Sequence, residues 1–331
     1  MTDRDDPTHG EGRQDDVDGA DRSGVGGEAH SQLALSGFSP SVPAAGGATL
    51  LERPLPPTME IATGFSTRRV PMGLEGPFEL RGGGRLDPGG IAFDLAMDWQ
   101  PALMRHVVMA CDDQRVCGRD WFFLPATLLA GPPGMGRTHI ARRVATAAGL
   151  PHLVLDASDE RLARSGAAPD VPLPLPPLVG MALTRCANPI VSVENVDQAD
   201  AEVMALICRL VDGRVNGRIV DAGLGAVLDL SAVSWLVQST AIDALPRTLR
   251  DATVRVDIAD PDGQDVAFLV IDLIAEAVAD FGLPTPAPAL VELIVRSTVR
   301  QHGQPYRQTS VAQLYSEITD RLSRGGEPSP F

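Results

Sequence analysis

Residues 131–138 read GPPGMGRT, set between the short apolar run TLLA and the helical pattern THIARRVATAAG. Glycines spaced in this way let a strand-to-helix turn curl until several backbone N–H groups converge on one point. The N-terminus of the following helix adds positive potential there, so the turn suits an anion and above all a phosphate. The spacing is G-x-x-x-x-G, then a basic residue, then Ser or Thr. Gly131, Pro132, Pro133, Gly134, Met135 and Gly136 form the loop, and Arg137, Thr138 and His139 open the helix. The alternative is an ordinary Gly-Pro turn before a helix. The flanking strand, the spacing and the hydroxyl of Thr138 together favour the phosphate loop. Such a loop needs a buried strand before it and a helix after it, which commits the chain to an α/β fold.

One letter departs from the pattern. Position 137 is arginine where lysine normally reaches the β- and γ-phosphates, while Thr138 keeps the hydroxyl that helps to hold Mg2+. A guanidinium keeps the charge and binds phosphate in bidentate fashion, but it is planar and bulkier. Binding is therefore expected to survive Arg137, and fast hydrolysis is not. The substitution is not diagnostic by itself, because the chain contains no lysine and all 28 basic residues are arginine. That absence also removes Ser–Lys dyads and Schiff-base chemistry, both of which need a lysine amine.

The α/β alternation continues beyond the loop. ATLLAG, HLVLDA, PIVSVEN, SWLVQST and TVRVDI read as short strands. Between them lie helical patterns over THIARRVATAAG, LVGMALTRCA and AEVMALICRLVDG, and the helical turn PRTLRD. This spacing predicts a parallel sheet covered on both faces, a three-layer αβα sandwich of the P-loop NTPase class. A helix over WQPALMRHVVMACDD precedes the first strand, with Leu103, Val107 and Ala110 on one face. After DPDG only helical patterns remain: DVAFLVIDLIAEAVADFG, APALVELIVRSTVRQHG and SVAQLYSEITDRLSR. The predicted organisation is an acidic, Gly/Pro-rich disordered tail over 1–57, then a Gly-rich extension of unassigned fold over 58–100. The α/β core follows over 101–260 and a small helical domain over 261–331.

A net charge of −15 disfavours a nucleic-acid groove that works by counterion release. No stretch offers twenty uninterrupted apolar residues and the N-terminus has no apolar core of its own. Neither a membrane span nor a secretory signal is predicted, and a cytoplasmic location is expected. Cys111, Cys117, Cys186 and Cys208 are scattered and no histidine clusters beside them, which predicts buried reduced thiols rather than disulfides or zinc.

Three stretches, LLAGPPGMGRTHIARRVATAAGLP, NPIVSVENVDQAD and SWLVQSTAIDALPRTLRDATVRVDI, together resemble the AAA+ ATPases, most closely the Lon-type subgroup. The resemblance covers about residues 100–325. It makes the first stretch a Walker A loop, the second a Walker B strand, and the third a sensor-1 strand with its arginine-finger segment. It implies a helical lid after the core, ATP or ADP with Mg2+ as cofactor, and assembly as a homo- or hetero-oligomer. The Walker B aspartate falls on Glu194, which with Thr138 would hold the Mg2+ of the nucleotide. The glutamate that activates water falls on Asn195, whose amide orients water but cannot take its proton. The sensor-1 residue falls on Thr240. The arginine finger falls on Ala252, which cannot stabilise the transition state of a neighbouring subunit. Arg250 and Arg255 flank that position, and Arg307 is the nearest candidate for a second sensor in the lid. A different register would make Asp197 or Asp200 the Walker B acid. Where unfoldases of this type carry an aromatic pore loop, SDERLARSGAAPDVPLPLPPLVGMA has no aromatic and reads as a solvated loop.

Altered positions gathered within one mechanism predict a nucleotide-binding protein with weak or lost hydrolysis, acting as regulator, scaffold or ring partner. No protease domain is expected after the lid, and no peptidase activity. Two alternatives stay open: a slow but active ATPase that remodels a protein or complex, and a domain that binds no nucleotide and keeps the fold for protein contacts. The sequence names no protein partner.

Overall fold

The computed structural model describes residues 56–65, 73–97, 99–159, 162, 175–221, 224–259, 261, 265–302 and 310–324. Nearly all of the 1–57 tail, most of the predicted solvated loop and Arg307 lie outside the described residues.

The five strands expected from the sequence pair into one parallel sheet. They are β4 (Thr127–Ala130), β5 (His152–Asp156), β6 (Ile190–Glu194), β9 (Ser234–Ser239) and β10 (Val254–Asp257). Their spatial order is β10-β4-β9-β6-β5, so the strand that feeds the glycine loop has neighbours on both sides. Side chains alternate across a pleated sheet, and here the alternation divides the core in two. Leu129, Ile190, Leu236 and Val256 fall in one hydrophobic cluster. Leu128, Val191, Val237 and Trp235 fall in the other.

Helices cover both faces, because a parallel sheet needs crossovers and each crossover here brings an apolar stripe. The first face packs against α1 (Pro88–Leu95), α2 (Pro101–Val116) and α3 (Arg137–Ala148), through residues such as Leu95, Leu103 and Val144. The second packs against α4 (Pro176–Thr184), α5 (Ala201–Val211) and α6 (Arg247–Asp251), through Met181, Ile207 and Leu249. The helix α3 begins at the glycine loop and stops where Gly149 takes a left-handed conformation at its C-cap.

The early part of the 58–100 extension is short strands on the second face, while α1, its later part, packs on the first. The pair β1 (Thr58–Glu60) and β3 (Pro77–Glu79) is antiparallel. Two-residue β2 (Ala62–Thr63) joins a hairpin of β7 (Ile219–Asp221) and β8 (Ala226–Leu228). That hairpin was not expected, since three-residue strands are too short to display an alternation.

Three helices follow the sheet, α7 (Asp265–Phe281), α8 (Pro288–His302) and α9 (Val311–Ser323). Leu269, Leu273, Ile294, Val311, Leu314 and Ile318 belong to the same hydrophobic cluster as Ile140 and Val144 of α3. The helical end therefore shares a core with the helix that begins the loop. Among the described residues no helix is long and apolar enough to cross a membrane. All four cysteines are free, as expected, but Cys117 is exposed and Cys208 only partly buried, so uniform burial does not hold.

Candidate functional site

The glycine loop leaves the C-terminal edge of β4 and enters α3. Gly134 and Gly136 adopt φ of +85° and +75°, a region that side chains with a Cβ rarely occupy. Gly136 is the N-cap of α3 and offers no side-chain cap. The first-turn N–H groups of a helix have no intrahelical partner, and here none is capped by that residue. Met135, Gly136, Thr138, Gln238 and Tyr315 line a cavity of about 370 Å³ beside them. Uncapped N–H groups on a glycine cradle are the donor set that a phosphate requires.

Arg137 turns back on its own loop. Its Nη1 donates to the carbonyl oxygens of Gly131 and, at 3.0 Å, Pro132. Burial lowers the pKa of the guanidinium, against a smaller opposing effect of the Asp197 charge.

Thr138 Oγ1 donates to Glu194 Oε1 at 2.7 Å, bringing the end of β6 against the start of α3. Gln238 Nε2 lies 3.5 Å from the same carboxylate oxygen. A hydroxyl beside a carboxylate is hard oxygen chemistry suited to Mg2+, which is usually held by one or two carboxylates together with substrate phosphates. Among the described residues no group of three His, Cys, Asp or Glu is placed to hold a metal without such help. The two other acids considered for this position do different work. Asp200 caps α5, accepting from the backbone N–H groups of Glu202 and Val203. Asp197 accepts from Ser239 Oγ at 2.7 Å and from the backbone N–H and Oγ1 of Thr240, both at 2.9 Å. Burial would raise the Asp197 pKa, but these hydrogen bonds outweigh it and hold the carboxyl below its ordinary value.

Thr240 is thus committed to Asp197. Gln238, two residues earlier on β9, is the polar side chain that reaches the cavity. The signal for it was present, as the single amide within the strand SWLVQS. Asn195 follows β6 in a left-handed conformation with φ of +53°. Its Nδ2 donates to Asp156 Oδ1 at 2.9 Å across the β5–β6 pair. Burial again tends to raise the Asp156 pKa, and hydrogen bonds from Asn195 and Ser158 more than offset it. Ala252 lies elsewhere, between α6 and β10 at the N-terminal edge of the sheet. Arg255 beside it donates through Nε to Asp257 at 2.8 Å.

The helical end closes the cavity from the other side. Val311 N, at the start of α9, donates to Gly134 O at 3.0 Å. Behind the loop, His139 Nδ1 lies 2.9 Å from Glu276 Oε1. Arg142 bridges to Asp280 at 2.9 Å, and Tyr315 Oη donates to the same carboxylate at 2.7 Å. Burial, then Asp280, pushes the Tyr315 hydroxyl up to about 12.

A five-stranded parallel sheet flanked by helices, with a glycine loop between strand and helix, is consistent with a P-loop NTPase-like fold. No protein-family model matches the chain. It is similar, at low identity, to Lon proteases. It is 24% identical to the mitochondrial Lon protease homolog of Mus musculus over 213 residues, 59% of this chain and 22% of that protein. It is 24% identical to the corresponding Drosophila melanogaster protein over 222 residues, 60% of this chain and 21% of that protein. It is 27% identical to the Lon protease of Elusimicrobium minutum over 198 residues, 54% of this chain and 23% of that protein. The matched region therefore spans about a fifth of the length of these relatives.

Proposed function

We propose that the chain is an AAA+ ATPase-like nucleotide-binding protein that takes ATP or ADP with Mg2+ at residues 131–139, with weak or lost hydrolysis. The observation that carries this reading is the 2.7 Å bond from Thr138 to Glu194, next to a loop whose helix N-terminus carries no cap. The loop N–H groups hold the phosphates. Arg137 spends Nη1 on the loop carbonyls, which leaves the rest of its guanidinium for phosphate. Bound Mg2+ would supply charge neutralisation at the phosphate oxygens, with Thr138 and Glu194 as its protein ligands. Gln238 serves as the polar contact on the neighbouring strand, and Leu273 and Tyr315 of the helical lid enclose the rest of the nucleotide.

Hydrolysis is weak because the groups that would support it are committed or absent. Asn195 holds no proton acceptor to water at neutral pH, and Ala252 offers no cation to a neighbouring subunit. The protein then acts as a regulator, a scaffold, or a partner in a ring of like or unlike subunits.

A second reading draws on the bond from Val311 N to Gly134 O, which lays the last described helix over the loop. A loop so covered could hold the fold for protein contacts alone. Thermal shift with Mg2+–ATP and Mg2+–ADP, followed by phosphate release, separates these readings. Stabilisation by both nucleotides without turnover supports the proposal. Stabilisation with steady turnover replaces it with a slow ATPase, and no stabilisation at millimolar nucleotide leaves the covered-loop reading.

A further inference from the structure

The last described helix meets the glycine loop through its backbone as well as its side chains. Val311 N, at the first position of α9, donates to Gly134 O at 3.0 Å. A Cβ on Gly134 would stand 3.0 Å from Ser310 Cβ, and one on Gly136 would stand 2.8 Å from Val311 Cγ2. The absence of side chains at both glycines lets the helix come this close. Gly134 O and Met135 N–H belong to one planar peptide unit and point in opposite directions. Through that unit the helix fixes the aim of a donor in the loop.

The fold of α9 does not depend on this contact. Ser310 Oγ accepts from Gln313 N at 3.2 Å and Ser310 N donates to Gln313 Oε1 at 2.9 Å, a capping box that closes the first turn internally. Further along, Tyr315 Oη donates to Asp280 of α7, which also accepts from Arg142 of α3. A capped helix held on the loop and on Asp280 can tilt at its first turn without unwinding. Val311, Ala312 and Tyr315 form one wall of the cavity at the loop. That cavity, of about 370 Å³, is near the lower end of the roughly 300–1,000 Å³ of small-molecule sites, so a nucleotide passes most readily when this wall moves.

We infer that α9 is a strap that gates nucleotide exchange at the glycine loop. Docked, it fixes the Gly134–Met135 peptide and walls the cavity. Tilted, it lets nucleotide in or out. The gate rests on nucleotide binding at residues 131–139 and sets the rates of that binding.

Proline at position 311 breaks the latch and spares the helix. Proline has no N–H and is favoured at the first helical position. Ser310 already has φ −71° and ψ 152°, the extended conformation that a residue before proline takes. Val311→Ala is the control, because it trims the side chain against Gly136 and keeps the N–H. Asp280→Ala loosens α9 at its second hold, away from the cavity wall. Stopped-flow mixing of the full chain with Mg2+ and N-methylanthraniloyl-ADP reads association and dissociation. Val311→Pro is expected to speed each by about five-fold, the weight of one backbone hydrogen bond, so that Kd moves little. Asp280→Ala should speed both as well, and Val311→Ala should change them less than Val311→Pro does. Rates in Val311→Pro equal to those of the parent, or to those of Val311→Ala, would overturn the gate and leave nucleotide binding standing. Weaker binding without faster association would mark a loop that had merely lost its shape, and would also overturn it. Nucleotide bound by Val311→Pro and not by the parent would support a strap fully closed in the parent. No binding by either chain would overturn the gate and the nucleotide reading together.

Discussion

At position 195 a side chain and a backbone conformation are tied together. Asparagine is among the few residues that enter the left-handed region at little cost, and Asn195 sits there while its amide reaches Asp156. A glutamate in its place would meet two penalties. It would pay about 1 kcal/mol for the backbone, and its carboxylate would face the ionised Asp156 across the strand pair, a like-charge contact that costs up to about 1 kcal/mol. Asn195→Glu is therefore expected to lower stability without raising phosphate release. Adding Asp156→Asn should recover the charge part of that loss, as read by urea titration at neutral pH. Arg137→Lys belongs to the same expectation. Lysine could replace the contact to the loop carbonyls, but phosphoryl transfer depends on several groups acting together. Phosphate release by this single variant should stay within about three-fold of the parent. Turnover in the range of working ATPases, about 1 s⁻¹ or more, would show that one substitution was the whole defect.

At the scale of elements, the loop and the last helix depend on each other. A Cβ built on Gly136 would stand 2.8 Å from Val311 Cγ2, at a φ that already excludes most residues. Gly136→Ala should cost about 2 kcal/mol from backbone strain and displacement of α9. Val311→Ala in the same chain should relieve only the steric share. Thermal unfolding of the two variants, with and without nucleotide, measures both parts. Tyr315→Phe removes one hydrogen bond to Asp280 and should cost about 1 kcal/mol, with hydrogen exchange rising first in α9.

These elements differ in how far the sequence announced them. The five strands follow from short apolar runs set between helical patterns, α3 and the three final helices from runs long enough to reveal their period, and Gly131–Thr138 from spacing together with the flanking strand and the Thr138 hydroxyl. The hairpin β7–β8 and the small β1–β3 sheet were invisible because two- and three-residue strands carry no pattern. The Asn195–Asp156 pair depends on β5 and β6 being neighbours, and the Thr138–Glu194 pair on the start of α3 meeting the end of β6. Strand order is set by crossover packing rather than by any single segment, so Asp156 could not be singled out beforehand, whereas Gln238 was visible as the one amide within SWLVQS. Thr240 was placed by the resemblance alone, which did not show that Asp197 would claim it.

For the whole molecule, two partly buried histidines contribute to the response to mild acid. Burial first, and then the Arg142 charge, push the His152 pKa down to about 4, and Nε2 lies 2.7 Å from Ser192 Oγ. Burial also lowers His106, which lies 2.8 Å from Thr127 Oγ1. Between the unfolded value near 6.5 and the folded value the unfolded chain binds more protons, so stability falls as pH drops through that window. For His152 the loss is at most about 3 kcal/mol. His152→Gln should flatten the dependence of the urea midpoint between pH 6.5 and 4 without removing it, since His106 still titrates there. An unchanged slope in that variant would contradict the assignment.

The bond between Val311 and Gly134 also has a consequence in time. On a ribosome, Gly134 emerges well before Val311. At about 5–20 residues per second, the glycine loop of a newborn chain waits roughly 10–35 s for the helix that will cover it. For most of that interval the site is unfinished, since β9 and β10, which flank β4, also follow Gly134 in the chain, and only after Asp257 does an uncovered loop rest on a complete sheet.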